Sequence, residues 1–182
     1  MNIEIIAGSP REGSVTHSVA LYLQKYFEQK YNSHSIGLID AREWNLPPQQ
    51  TVFNSVDNTP SAFKTLSERM FAAAAFILVS PEYNGSYTPL LKTILDYYPK
   101  QSRKPFGIVS TSRGAFGGIR AAMQMQTLAF AIFGIVSPQM LVIPHLHERF
   151  DPAGNLLDGA FEKNIHDFAI EFMWLAERLR QK

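Results

Sequence analysis

The sequence predicts an α/β protein in which one parallel sheet is covered by helices on both faces. Short apolar runs rich in Val, Ile and Phe alternate with longer segments whose apolar residues recur every three or four positions. Runs that are apolar throughout are typical of parallel strands buried on both faces. At 182 residues, of which 46% are hydrophobic, the chain is long enough for one well-covered core. We therefore expect a single domain spanning residues 1–182.

Composition excludes several classes of function. The net charge is +1 and the basic residues are scattered, which argues against a nucleic-acid partner. The absence of cysteine excludes disulfides, thiolate zinc sites and thiol catalysis. No apolar run approaches the ~20 residues of a membrane span, and the first one is too short for a signal peptide. We expect a soluble cytoplasmic protein with no membrane insertion.

The first strand and helix are joined by a loop suited to an anion. Ile3–Ala7 predicts a strand, and helical spacing resumes at Val15. The loop Gly8–Ser14 offers two glycines, hydroxyl groups and an arginine at a helix N-terminus, where backbone amides attract phosphate. It has the glycine spacing of a Walker loop, but Ser14 stands where that motif needs lysine. A single terminal phosphate, as in a mononucleotide, therefore fits best, with an ordinary capped turn as the alternative.

The second unit begins with a strand over Ser35–Ile39, which ends in Asp40. Residues 40–60 include three prolines, so we expect a long loop at the edge of a ligand crevice. A second helix follows, with a buried face formed by three apolar residues at helical spacing, Phe63, Leu66 and Met70.

The third unit carries the loop around which the chain is organised. Ala75–Val79 predicts a central strand, and Asn84-Gly85 permits positive φ. Thr88 is suited to cap the next helix and Pro89 to occupy its first position. This loop, with its aromatic, amide and glycine residues, suits a flat heteroaromatic ring, although an ordinary βα turn remains open.

The helix that follows Pro89 is predicted to stop before Pro99. Two aromatic residues near its end, Tyr97 and Tyr98, are interpreted as a mixture of core and subunit contact.

The fourth unit again has a strand, a polar loop suited to a ligand, and a helix. Phe106–Val109 predicts a strand, and Ser110–Gly118 follows with three glycines that would let backbone approach a planar ligand closely. A flexible loop with no role in a site is the alternative. Ile119–Phe133 predicts a helix.

The remaining segment predicts one edge strand and a closing helix. Val136–Ile143 is predicted to be the fifth strand, and Pro138 favours an edge position. Alternation would place His145 and His147 on one side, but no third ligand stands nearby, so we expect solvated histidines and no metal. The last helix should close one face of the sheet through Phe161, Ile165, Phe168, Phe172, Leu175 and Leu179.

The three polar loops follow strands one, three and four, and the carboxyl ends of parallel strands share one edge. In the flavodoxin-like strand order 2-1-3-4-5, the switch point lies between strands one and three. The phosphate-type loop and the Tyr83 loop would then flank one crevice, and one ligand could contact all three loops.

These loops resemble those of the NAD(P)H-dependent FMN reductase family, which also includes quinone, chromate and azo-dye reductases. The resemblance spans nearly the whole chain and is carried by Gly8-Ser9-Pro10-Arg11-Glu12-Gly13-Ser14, Ser80-Pro81-Glu82-Tyr83-Asn84-Gly85-Ser86 and Gly114-Ala115-Phe116-Gly117-Gly118. It implies a flavodoxin-like three-layer sandwich with a five-stranded parallel sheet. It also implies bound FMN and a homodimer or homotetramer.

The resemblance implies three groups of FMN contacts. The phosphate would be held by Ser9, Arg11, Ser14, Val15 and Thr16. The isoalloxazine would be bordered by Pro81, Glu82, Tyr83, Asn84 and Gly85, and its opposite edge by Ser112, Gly114 and Gly117. The sequence departs from the family pattern at two places: Thr16 replaces a common asparagine, and Tyr97-Tyr98 replaces a usual Asp-Trp.

The implied activity needs no acid, base or nucleophile from the protein. NADPH or NADH would deliver hydride to flavin N5, and two electrons would pass to a small acceptor, such as a quinone, free flavin, azo dye or chromate. Backbone amides near Asn84 and Gly85 would stabilise the reduced ring. The basic residues available for a 2′-phosphate are Arg113, Arg120 and Lys104.

Two other classes remain as alternatives. A flavin-binding redox sensor or electron carrier would share the fold but have no turnover of its own; carriers usually need a charged docking face. A serine hydrolase would use Ser110–Gly114 as a nucleophile elbow, with Asp151 and His166 downstream, but the first glycine of that motif is absent.

Overall fold

The computed structural model describes residues 1–47, 49, 51–98 and 100–180, and within them strands and helices alternate along the chain. The strands are β1 Asn2–Ala7, β2 Ser35–Asp40, β3 Ala75–Pro81, β4 Pro105–Thr111, β5 Ile135–Val136 and β6 Leu141–Ile143. The α-helices are α1 Val15–Lys30, α2 Lys64–Ala72, α3 Pro89–Asp96, α4 Ile119–Ala131, α5 Leu146–Arg149 and α6 Glu162–Arg180. Short 3₁₀ turns lie at Ala41–Glu43, Ser61–Phe63 and Gly159–Phe161.

The strands form one parallel sheet in the order β2-β1-β3-β4-β5, with β6 also paired to β4. In the register, Ile5 pairs with Leu38 on one side and with Ile77 on the other. The predicted flavodoxin-like order is therefore confirmed. The strands other than β5 end at the same edge of the sheet, and the loops that carry candidate site residues meet there.

The predicted fifth strand, Val136–Ile143, is two short strands. β5 pairs with the start of β4 at Pro105 and Phe106, and β6 pairs with the end of β4 from Val109 to Thr111. The chain leaves the ladder between them, where Pro138 has no N–H to donate. The edge position predicted from Pro138 is confirmed, but the continuous strand is wrong.

The helices cover the two faces unequally. Apolar residues of α1 and α6 pack with Ile3, Ile5 and Ile77 on one face, whereas those of α2, α3 and α4 pack with Ile6 and Leu78 on the other. The predicted role of the last helix is confirmed. Of the six apolar residues predicted for it, the first lies in the preceding 3₁₀ turn and is buried, the next three are buried in α6, and Leu175 and Leu179 are half-buried.

Tyr97 and Tyr98 are both core residues, exposed by only 3% and 2%. The hydroxyl of Tyr97 donates to the carbonyl of Pro47 (2.9 Å), and that of Tyr98 hydrogen-bonds with the hydroxyl of Ser67 (2.9 Å). The mixture of core and subunit contact predicted for this pair is wrong, because neither ring offers a surface. The long loop predicted over residues 40–60 packs against this tyrosine pair, and the N–H of Phe53 donates to the Tyr97 carbonyl (2.8 Å).

Helix α3 ends at Asp96, ahead of Pro99, which lies outside the described residues together with Pro48, Gln50 and the last two residues of the predicted domain. Among the described helices, none combines the length and apolar character that crossing a membrane requires.

Lys104 gives the stability a pH dependence that can be tested. Burial lowers the pKa of its ammonium group to about 8, and its Nζ donates to the Met70 carbonyl (3.2 Å). Above pH 8 the folded chain loses this proton, while the unfolded chain keeps it to its ordinary value of 10.5. Folding therefore gains relative stability as pH rises through this window.

Lys104→Met removes that titration. The free energy of unfolding of the native chain minus that of the variant should rise between pH 8 and 10.5, as measured by urea unfolding. We expect a rise of about 1 to 2 kcal/mol, since water still screens the charge. A difference that stays constant over this range would show that Lys104 is solvated as in the unfolded chain.

Candidate active site

A cleft of about 330 Å³ opens at the carboxyl edge of the sheet, near the lower end of the range for small-ligand sites. Its walls come from the loops after β1, β3 and β4 and from the start of α5. The cleft brings together many of the residues predicted from sequence: Ser9, Arg11, Ser14, Val15, Thr16, Pro81, Glu82, Tyr83 and Ser112.

The first wall begins where β1, β3 and α3 are in close contact. The N–H of Gly8 donates to the carbonyl of Val79 (2.8 Å), and the buried hydroxyl of Thr88 donates to the carbonyl of Gly8. A Cβ on Gly8 would lie 2.8 Å from the Cβ of Leu91, so only glycine fits. Thr88 also accepts from the N–H of Leu91 (3.2 Å), which confirms it as the cap of α3.

Two side-chain donors of this wall, the hydroxyls of Ser9 and Ser14, are left unpaired by the described residues. Ser14 is the N-cap residue of α1, but its side chain makes no capping hydrogen bond, and the first turn contains no acidic residue. The Oγ atom of Ser9 is buried without a hydrogen-bond partner among the described residues. A buried hydroxyl with no partner is costly, and helix N-termini attract anions. The wall therefore has the chemistry of a phosphate site.

Thr16 has a second role in the cleft. Its hydroxyl lies 2.7 Å from that of Thr111, and both residues are buried. This hydrogen bond joins the first turn of α1 to the end of β4. The side chain of Thr16 is thus committed to the cleft floor, and the backbone N–H remains for a ligand.

The second wall is a tight turn. The N–H and carbonyl groups of Tyr83 and Ser86 exchange hydrogen bonds of 2.8 and 3.0 Å across Asn84 and Gly85. The φ angles of these two central residues are +50° and +85°, which confirms the predicted positive φ. Tyr83 faces the first wall, because the guanidinium of Arg11 lies 5.1 Å from its ring centroid.

The lining of this cleft does not include four predicted site residues: Asn84, Gly85, Gly114 and Gly117. Asn84 lines an adjoining groove on the other side of Tyr83. A Cβ on Gly117 would lie 2.8 Å from the backbone nitrogen of Pro144, so this glycine allows close packing beside β6. The N–H of Gly114 donates to the Oγ of Ser112 (3.1 Å), which shapes the loop around it.

Apart from Arg113, which was considered only for a 2′-phosphate, five lining residues were missed from the sequence: Glu12, Gly13, Thr111, Leu146 and His147. The last two follow β6, whose carboxyl end lies beside that of β4. The predicted edge strand could have placed them here, since its end had to reach the same rim. The alternation expected for the histidines is wrong, because His145 has φ +49° and α5 begins at Leu146.

The three basic residues considered for a 2′-phosphate lie in different places. Arg113 lines the cleft, and the Nε of Arg120 lies 3.3 Å from a carboxylate oxygen of Glu82. Lys104 precedes β4 and therefore lies at the opposite edge of the sheet, away from the cleft.

The residues of the hydrolase alternative are apart. Ser112, which would be the nucleophile of that motif, accepts from the N–H of Gly114 (3.1 Å), whereas His166 on α6 bonds with the hydroxyl of Tyr26 (3.1 Å). A serine nucleophile needs its base within hydrogen-bond reach. This arrangement does not support a hydrolase.

A charged cluster lies behind the first wall, where β2 ends. The Arg42 guanidinium binds the Asp40 carboxylate, with Nε at 2.9 and 3.0 Å from its oxygens, and His17 Nδ1 lies 3.6 Å from it. Burial acts to raise the pKa of Asp40, but hydrogen bonds from Arg42 hold it below its usual value. Burial lowers the pKa of His17 despite the nearby carboxylate, so the imidazole is mainly neutral at pH 7.

Comparison with known proteins gives a consistent family. Residues 1–148 match the sequence model of the family described as NADPH-dependent FMN reductase. The chain is 27% identical to a protein named Probable NADPH:quinone oxidoreductase 2 from Oryza sativa subsp. japonica, covering 100% of this chain and 92% of the relative. It is 28% identical to an NADPH azoreductase from Bacillus sp. strain OY1-2, covering 94% of this chain and 90% of the relative.

A solved structure shares the fold. The flavoenzyme FerB, an NAD(P)H:(acceptor) oxidoreductase from Paracoccus denitrificans, superimposes with a TM-score of 0.79 and 21% identity over 97% of both chains.

Proposed function

Because the chain belongs to the NADPH-dependent FMN reductase family, we propose that it passes electrons from NADPH or NADH, through FMN held in the cleft, to a small conjugated acceptor. The observation that supports this placement is the buried Oγ of Ser9, which has no partner in the described part of the chain and lies in the same wall as the N-terminus of α1. When bound, FMN supplies the two-electron chemistry, and the protein supplies binding, orientation and electrostatics.

The proposed phosphate site is the first wall. The hydroxyls of Ser9 and Ser14 donate to the phosphate, as do the backbone N–H groups of Val15 and Thr16. Arg11 supplies the charge that pairs with it. Neither hydroxyl makes a hydrogen bond to another described residue, which supports this assignment.

The proposed ring site lies between the second and third walls. Pro81, Glu82 and Tyr83 border one side, and Ser112 borders the other. Asn84 and Gly85 hold the turn that positions Tyr83, while Gly114 and Gly117 set the path of the opposite loop. We propose that these four residues act on the ring mainly through the backbone of their loops.

Quinones and azo dyes are the acceptors that we propose, ahead of free flavin and chromate. Relatives of this chain are named quinone oxidoreductase and azoreductase. Both acceptor classes are flat, conjugated molecules, and the nicotinamide ring is also flat. A cleft of this size favours their use of the same place in turn.

A steady-state assay tests the proposed activity. With the FMN-loaded chain, NADPH and a quinone, double-reciprocal plots at several quinone concentrations should give parallel lines. Intersecting lines would mean that both substrates bind at once. An FMN-loaded chain that oxidises no nicotinamide would support the redox-sensor or carrier alternative.

We also propose a single-domain, cytoplasmic homodimer or homotetramer. Described residues of all six strands belong to one sheet, which supports one domain. The apolar side chains of Phe116, Met123 and Phe130 are more than half exposed near and along α4, which supports subunit contact on that side.

A further inference from the structure

We propose that the ion pair of Asp40 and Arg42 positions the phosphate-binding loop, and that it does so by holding the main chain at Arg11. This inference rests on the proposed function, because it assigns a positioning role toward the phosphate of FMN. Neither residue lines the cleft, and neither belongs to the motifs on which the family resemblance rests.

The loop itself has few attachments. Gly8 is fixed by β3 and α3, and Ser14 begins α1, but the residues between them are largely exposed at positions 10–13. Among the described residues, one side chain donates a hydrogen bond to residues 9–13, and it is that of Arg42. Its Nη1 donates to the carbonyl of Arg11 at 3.2 Å.

Arg42 is in turn held rigidly by Asp40. The carboxylate accepts hydrogen bonds from Nε and from one terminal nitrogen of the guanidinium. It also accepts a hydrogen bond of 3.0 Å from the backbone N–H of Arg42. Asp40 is only 8% exposed, and it faces His17 on the first turn of α1. A planar guanidinium gripped at two nitrogens has little freedom, so its remaining nitrogen presents a fixed donor to the loop.

The carbonyl that Arg42 holds belongs to Arg11, whose side chain is proposed to pair with the phosphate. The guanidinium of Arg11 lies over the ring of Tyr83, so the main chain at Arg11 also sets the contact between the first two walls. Loosening this point would let the loop adopt other conformations, and FMN would have to order it on binding.

The loss of a negative charge and the loss of loop positioning have opposite expected effects on FMN binding by Asp40→Asn, and this makes the inference testable. The carboxylate is a negative charge near a site for a dianion, so charge alone predicts that its removal strengthens FMN binding. The positioning role predicts weaker binding, because an amide grips the guanidinium poorly. Asparagine keeps the size of the side chain and its ability to cap the following turn.

The experiment titrates the FMN-depleted full chain with FMN and with riboflavin, which lacks the phosphate. For Asp40→Asn we expect the FMN dissociation constant to rise roughly 10-fold and that of riboflavin to change by less than about twofold. Arg42→Lys keeps the charge but loses the planar fork, so it should behave in the same way.

The matched control is Asp158→Asn. Asp158 also pairs with an arginine, Arg149, and accepts an N–H at the start of a 3₁₀ turn, from Ala160 at 3.0 Å. It does not line the cleft, so neither dissociation constant should change in this variant.

Three results would overturn the positioning role: tighter FMN binding by Asp40→Asn, equal weakening of both flavins, or no change in either. Equal weakening would mean that the pair stabilises the fold as a whole. These failures differ from failure of the proposed function, in which the native chain itself would bind neither flavin.

Discussion

Arg11→Ala is expected to raise the FMN dissociation constant roughly 10- to 150-fold, which corresponds to the loss of one charge-assisted hydrogen bond. Arg11 is exposed on the first wall and pairs with no carboxylate among the described residues, so its charge is free to meet the phosphate. Its guanidinium lies over the ring of Tyr83, a contact far weaker than pairing with a dianion. Titration by flavin fluorescence measures the change.

The matched variant is Arg113→Ala, on the opposite wall of the same cleft. If the phosphate lies at the first wall, this variant should change FMN affinity by less than about threefold, since only a screened longer-range charge is lost. A large loss of FMN affinity in Arg113→Ala with none in Arg11→Ala would place the phosphate at the opposite wall and contradict our assignment.

Thr88→Val is expected to lower the free energy of unfolding by about 2 to 4 kcal/mol, a large share of the stability of an ordinary domain. The residue is fully buried, and valine has the same shape. The variant leaves the Gly8 carbonyl without its donor and removes the cap from the Leu91 N–H. Both losses occur where β1, β3 and α3 meet beneath the first wall.

Thr93→Val is the control for this change. Its hydroxyl donates to the Pro89 carbonyl (3.0 Å) on the exposed side of the same helix, so its loss should cost less than about 0.5 kcal/mol. Urea unfolding of the FMN-free chain measures both variants. Equal stability of Thr88→Val and the native chain would mean that the buried threonine holds neither the loop nor the helix.

The sequence could predict the parts of the site that depend on local chemistry. Thr88 and Pro89 mark a helix start by their own hydrogen bonding and φ, and Asn84-Gly85 marks positive φ for the same kind of reason. The rim followed from topology, because parallel strands must end at one edge.

Features that depend on contacts between distant segments could not be predicted from the sequence. The contact of Arg11 with Tyr83 joins loops more than seventy residues apart, and the cluster behind the first wall needs β2 beside β1 in the observed register. The hydroxyl pair of Thr16 and Thr111 is of the same kind. Single-sequence patterns report the periodicity of each segment but not which side chains meet across a cleft.

Two errors have physical causes that the pattern concealed. The run Val136–Ile143 was predicted to be one strand, yet the missing N–H of Pro138 divides it. Tyr97 and Tyr98 have the amphipathic character of interface residues, but partners in other segments satisfy both hydroxyls inside the core.

The most direct test of the central claim is the visible spectrum of the purified chain, followed by identification of the cofactor that heat releases. We expect the two absorption bands of an oxidised flavin, and FMN rather than FAD or riboflavin in the released material, because the first wall is built for one terminal phosphate. A chain that is colourless and stays colourless after incubation with FMN and removal of the excess would contradict the account.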